Sequence, residues 1–115
     1  MTAAPPPVVP TCITRAAAPK TWTLACADGN FYLTGLHWRN WGDAAATATG
    51  VAHANDCNPY CAAGHFHTYR IVAEVSRLAT CYGRRQYLHL VVRYTAASRP
   101  GASNPEVVDL GCRKR

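Results

Sequence analysis

Asn55-Asp56-Cys57-Asn58-Pro59-Tyr60-Cys61-Ala62-Ala63-Gly64 holds two of the six cysteines in mid-chain. Asn55, Asp56, Asn58 and Gly64 favour local side-chain bonds or left-handed dihedrals, and Pro59 removes a backbone donor. The stretch therefore reads as a turn that neither helix nor strand crosses. A turn carrying two sulfurs is either a disulfide staple or a metal knuckle.

Cysteine arithmetic favours the staple. Cys12, Cys26, Cys57, Cys61, Cys81 and Cys112 are an even set in 115 residues, which suits three bridges in an oxidising compartment. Six cysteines allow 15 pairings, so the connectivity stays open. The alternative is zinc held by Cys57, Cys61, His65 and His67, which are the right ligand types at a spacing unlike that of a standard finger. On balance no metal and no cofactor are expected.

The length suits one domain with a modest core. No apolar run approaches the roughly 20 residues that span a bilayer. Met1 leads straight into Thr2-Ala3-Ala4-Pro5, so Met1 is read as a start residue on a mature chain whose export signal has been removed. The formal charge is +6, with Arg113, Lys114 and Arg115 supplying half of it as a basic tail, residues 113–115. The remaining basic residues are dispersed, which argues against a nucleic-acid face.

Outward from the turn, both flanks alternate. Residues 44–54 are small on one face (Ala46, Ala48, Gly50, Ala52), leaving room for Trp38 or Trp41 to lie across them. Upstream, Trp22–Ala27 and Asn30–Thr34 flank Asp28-Gly29, a type I′ hairpin signal. That loop would place Cys26 opposite Phe31, Leu24 opposite Leu33 and Trp22 opposite Gly35, with a bulge at Gly35 as the apolar phase moves to Leu36 and Trp38. Downstream, Tyr69, Ile71, Ala73 and Val75 face inward, as do Leu88, Leu90, Val92 and Tyr94. After a loop over 98–105, Val108, Leu110 and Cys112 close a last short strand. About six short strands read as an all-β fold, a small antiparallel β-sandwich or open barrel stapled by disulfides, spanning residues 21–112. Residues 1–20, with Pro5, Pro6, Pro7, Pro10 and Pro19, read as an extended polyproline-like arm that packs poorly unless Cys12 pins it.

Leu24-Ala-Cys26-Ala-Asp28-Gly29-Asn30, Trp38-x-x-Trp41-Gly42, Ala48-x-Gly50 and Asn55-x-Cys57-x-Pro59-x-Cys61-Ala-x-Gly64 resemble small exported proteins common in Streptomyces and related actinobacteria. The resemblance covers Trp22 to Val75, roughly half the chain. It implies an exported domain and brings no catalytic residues with it. Some small exported Streptomyces proteins are adaptors in multi-subunit umbrella toxin particles, a role that the extended arm would suit.

The residues themselves give little chemistry. Ser76, Ser98 and Ser103 lie in no nucleophile-elbow pattern, and the carboxylates fall mostly at turns. A non-catalytic domain that binds another secreted protein is the expectation, with Pro5, Pro6, Pro7, Pro10, Trp38, Trp41, Asn58, Pro59 and Tyr60 as contacts. One of Trp38 and Trp41, not both, is expected at the surface, because positions three apart on a strand face opposite ways. Backbone pairing through the arm or an edge strand is one way to bind. A cell-wall glycan held on exposed Trp and Tyr is an alternative, and inhibition of a secreted hydrolase by the loop Asn58-Pro59-Tyr60 is another.

Overall fold

The computed structural model describes residues 4–112. Eight strands follow in order: β1 (Val9–Pro10), β2 (Arg15–Ala16), β3 (Trp22–Thr23), β4 (Phe31–Arg39), β5 (Ala45–Asn55), β6 (Phe66–Cys81), β7 (Arg84–Tyr94) and β8 (Glu106–Asp109). β3 to β8 form one antiparallel sheet in sequence order, while β1 and β2 form a separate pair. The large sheet curls into an open barrel. The helical element among the described residues is a single 3-10 turn, Cys61–Ala63.

The inner face is built as its alternation requires. Leu33, Ala48, Ala52, Ile71, Ala73, Val75, Leu90 and Val92 are buried in one cluster. Trp38 lies opposite Ala48 on β5, so an indole fills the space beside an alanine. Leu36 fills the space at Gly50, where an added Cβ would sit 2.7 Å from Leu36 Cδ2 and 2.9 Å from Thr34 O. The bulge falls at Gly35, which has φ +62° inside the register shift between Thr34 and His37.

All six cysteines are paired: Cys12–Cys26, Cys57–Cys61 and Cys81–Cys112. The zinc alternative therefore lacks its two thiolates, since both sulfurs are committed to each other.

Three other expectations are corrected. The Asp28-Gly29 hairpin is looser than a type I′ turn. Trp22 pairs with Leu33 and Thr23 with Tyr32, two residues from the expected register but on the same face. Type I′ needs positive φ at both central residues; Gly29 has it and Asp28 does not. Asp28 Oδ1 instead accepts the Asn30 N–H at 3.0 Å, and Cys26 leaves the ladder to bond Cys12.

The tight two-residue hairpin lies elsewhere. Tyr82 and Gly83 both have positive φ, +49° and +77°, and join β6 to β7 with Cys81 opposite Arg84. In that long hairpin the inward phase jumps three residues at once in both strands. Arg77 takes φ +64°, after which Tyr87 is fully buried and Leu88, expected inside, is half-buried.

With Cys12 bonded to Cys26, the proline-rich segment is pinned to the body, and part of it enters the core. Pro7, Val8 and Val9 are buried. Val8 N–H donates to Arg85 O at 3.0 Å, and Tyr87 N–H donates to Val8 O at 3.1 Å. Further along, Leu36 N–H donates to Lys20 O at 3.0 Å. The segment thus runs from the β7 edge to the β4 edge and closes one half of the barrel's open side.

Both Trp38 and Trp41 are half-buried and lie on the same side. Their rings meet edge-to-face at 4.8 Å, in a row that continues from Trp22 at one end to Tyr87 at the other. Strand parity does not reach Trp41 because β4 ends at Arg39, and Asn40, at φ +64°, turns the chain.

Candidate functional site

Asn55 and Asp56 shape the cystine turn. Asn55 Oδ1 accepts the Cys57 N–H at 3.0 Å. Its amide nitrogen donates to Cys61 O at 2.9 Å and to Asn30 Oδ1 at 3.0 Å. Asp56 Oδ1 accepts the N–H groups of Asn58 (3.1 Å) and His65 (3.0 Å), and Oδ2 pairs with His67 Nε2 at 2.9 Å. The His65 N–H, then His67, then the Asn58 N–H hold the Asp56 carboxyl down at about 2. These bonds draw the strand ends together so closely that only a glycine fits at 64. An added Cβ there would lie 2.2 Å from Asn55 Oδ1 and 2.8 Å from the Cys57 nitrogen.

The turn presents Asn58, Pro59 and Tyr60 to solvent, Tyr60 at 63% exposure. Phe66, just past the turn, is 47% exposed. It leans on Tyr32 at 5.7 Å, and Tyr32 stacks on His53 at 4.6 Å with its plane tilted only 6°. His53 Nε2 in turn meets Thr34 Oγ1 at 2.8 Å. Cross-strand bonding thus fixes an aromatic patch on the outer sheet face beside the loop.

Behind the loop the barrel mouth holds a cavity of about 390 Å3 lined by Asp56, His67, Tyr69 and Arg99. Arg99 lies 4.4 Å over the Phe31 ring and grips Glu106 through Nη2 (2.7 Å) and Nε (3.0 Å). Tyr94 donates its hydroxyl to the same carboxylate. Burial pushes the Glu106 carboxyl up, but the Arg99 and Tyr94 hydrogen bonds outweigh it and hold it below its usual value. Burial, and then Glu106, pushes the Tyr94 hydroxyl up.

The expected contact residues divide accordingly. Asn58, Pro59 and Tyr60 stand together on the surface, and Pro5 and Pro6 are exposed at the start of the arm. Pro7 is buried, Pro10 is half-buried in the β1–β2 pair, and Trp38 and Trp41 belong to the core. Phe66 was missed although its phase, shared with Arg70 and Glu74, already put it outward. Arg99 had no signal, since nothing local to a loop says which strand it will cover.

Ser76, His89 and Asp109 form a cross-strand row. Ser76 Oγ lies 3.5 Å from His89 Nδ1, at the outer limit of a hydrogen bond, and Asp109 Oδ1 accepts the Gly111 N–H instead of reaching His89. The base is not oriented by its carboxylate, which a working triad requires. Among the described residues no group of three or more His, Cys, Asp or Glu could hold a metal ion, and no helix is long and apolar enough to cross a membrane. No protein-family model, no curated protein and no solved structure matches the chain.

Proposed function

We propose that this protein is a secreted, non-catalytic adaptor domain that binds another extracellular protein through the cystine turn and its flanking aromatic patch. The observation that carries this reading is the pairing of exposed Tyr60 with a loop that a disulfide and five side-chain bonds hold in one shape. Such a loop loses little conformational entropy on binding, and aromatic side chains carry much of the energy of protein interfaces. Three bridges suit an oxidising compartment. The actinobacterial resemblance supports export, and the reading extends to a partner that is a subunit of an extracellular assembly, an umbrella toxin particle being the specific case.

Affinity capture from native culture fluid tests this. The oxidised wild type should retain a stoichiometric protein. Tyr60→Ala and Phe66→Ala should each lose it, while Tyr82→Ala, which alters an exposed tyrosine at the tip of the β6–β7 hairpin, should retain it. Retention on cell-wall glycan with no co-purifying protein would establish the lectin-like alternative instead. Stoichiometric inhibition of a secreted protease would favour the inhibitor reading.

A further inference from the structure

The two edge strands of the curled sheet, β3 and β8, are not paired with each other. Between them lies a groove of about 380 Å3, with Trp22 and Thr23 on one wall, Val108 and Asp109 on the other, and Cys12 at its end. The groove's chemistry follows from the ladder. Leu110 N–H donates to Leu88 O at 2.8 Å, and in an antiparallel pair bonded residues alternate. Positions 106, 108 and 110 therefore bond to β7, leaving Val107 and Asp109 to direct their N–H and C=O groups away from it. On the other wall, Leu24 N–H donates to Phe31 O at 3.0 Å, so Thr23 by the same alternation directs its main chain away from β4.

An unpaired edge is a template for another strand, and proteins usually blunt one with lysine, proline or a bulge. β8 is Glu106-Val107-Val108-Asp109; it holds no lysine, proline or bulge, and its guards are a length of four residues and its two charges, of which Glu106 turns inward onto Arg99. Its Val107 is 61% exposed. The molecule already satisfies part of the same side with an extended segment: Val8 bonds to the β7 edge at Arg85 and Tyr87, beyond the reach of β8. Pro10, Thr11 and Cys12 line the same groove, and Cys12 Sγ lies 3.3 Å from Thr23 O, so the edge that stays open along it is that of β8.

The geometry points to strand addition: an extended segment of the partner protein, apolar at alternate residues, enters the β3–β8 groove and pairs with the outer edge of β8. Its main chain meets the outward groups of Val107 and Asp109, and its apolar side chains meet the half-buried Leu24 and Val108. This rests on the reading of the protein as a partner-binding domain and adds a second contact separate from the cystine turn.

Random nine-residue linear peptides displayed on phage, selected against the intact oxidised protein, supply the probe. Enriched peptides should alternate apolar residues, and on binding should slow amide exchange at Val107 and Asp109, while Val108 and Leu110 are slow throughout. Val107→Pro removes an outward N–H without touching the β7 ladder and should weaken those peptides on the order of tenfold, about one main-chain hydrogen bond. Val107→Thr keeps the N–H and should bind like wild type. If no peptide enriches, if Val107→Pro binds unchanged, or if the Val107 and Asp109 amides exchange as before, strand addition is wrong. The exchange measurement uses wild-type protein, so it decides the matter even if Val107→Pro misfolds. Tyr60→Ala should leave these peptides bound, so failure at the groove and failure at the cystine turn are read separately.

Discussion

Trp41 donates its indole N–H to the carbonyl oxygen of Pro7 at 2.8 Å, joining the end of the β4 strand to the proline-rich segment. Trp38 makes the same bond to Pro19 at 2.8 Å and Trp22 to Pro10 at 3.2 Å. Each tryptophan thus satisfies its polar atom on a proline carbonyl while its rings pack inward, which is how a buried indole avoids a stranded donor. A segment that can make few ladder bonds of its own is held by three side chains of the body.

Substitution at Trp41 separates the two halves of that contact. Trp41→Phe keeps most of the apolar area and should cost about 1 kcal/mol for the lost bond to Pro7. Trp41→Ala should cost about 3 kcal/mol or more, because it also opens a cavity beside Tyr87. Urea unfolding with disulfides intact measures both. Equal costs for the two variants would show that the hydrogen bond, not packing, holds the segment.

Gly64 should resist any side chain. Gly64→Ala brings a methyl against the side-chain Oδ1 of Asn55, which the Cys57 N–H holds in place, and against the Cys57 main-chain nitrogen, which cannot swing aside as a flexible side chain does. The expected outcome is a loss of about 1–3 kcal/mol together with large amide shifts at Cys57, Asn58 and His65. A variant with wild-type amide positions there would mean that the turn is looser than its bonds indicate.

Acid should loosen the cystine turn at an unusually low pH. The folded Asp56 carboxyl sits at about 2, below its ordinary 3.8. Its contribution is therefore complete above about pH 4 and disappears as pH falls through 2. The Asn58 and His65 amide shifts should titrate near 2 in wild type and show no such step in Asp56→Asn. A midpoint near 4 would mean that the three donors do not favour the ionised form.

The bridges should contribute to stability in order of the loops they close, which urea unfolding of double variants measures. Access does not separate them, because each has one exposed cysteine: Cys26, Cys61 or Cys112. Loops of 31 and 4 residues give about 3.7 and about 2 kcal/mol in the chain-entropy account. The pair Cys81→Ala with Cys112→Ala should thus destabilise more than Cys57→Ala with Cys61→Ala.

Strand positions were legible wherever local alternation met a local turn signal. Residues 44–54 and 66–75 show their inward faces in the sequence, and Gly35 marks the bulge, because period-two burial and positive φ are properties of neighbouring residues. The Tyr82-Gly83 turn is equally local but was masked by a bulky residue at a left-handed position. The Tyr87–Leu88 phase was hidden for another reason: its cause, the left-handed Arg77, lies on the partner strand.

By itself, the chain's order of residues determined an all-β body, an even set of cysteines and a turn at 55–64, since each depends on dihedral preference, periodicity or count. Tertiary structure alone decided which sulfurs meet, that Pro7 to Val9 is core and not arm, and that Tyr60 and Phe66 stand exposed near each other. Those outcomes depend on which distant surfaces compete to leave water, and only the closed fold assigns each surface its cover.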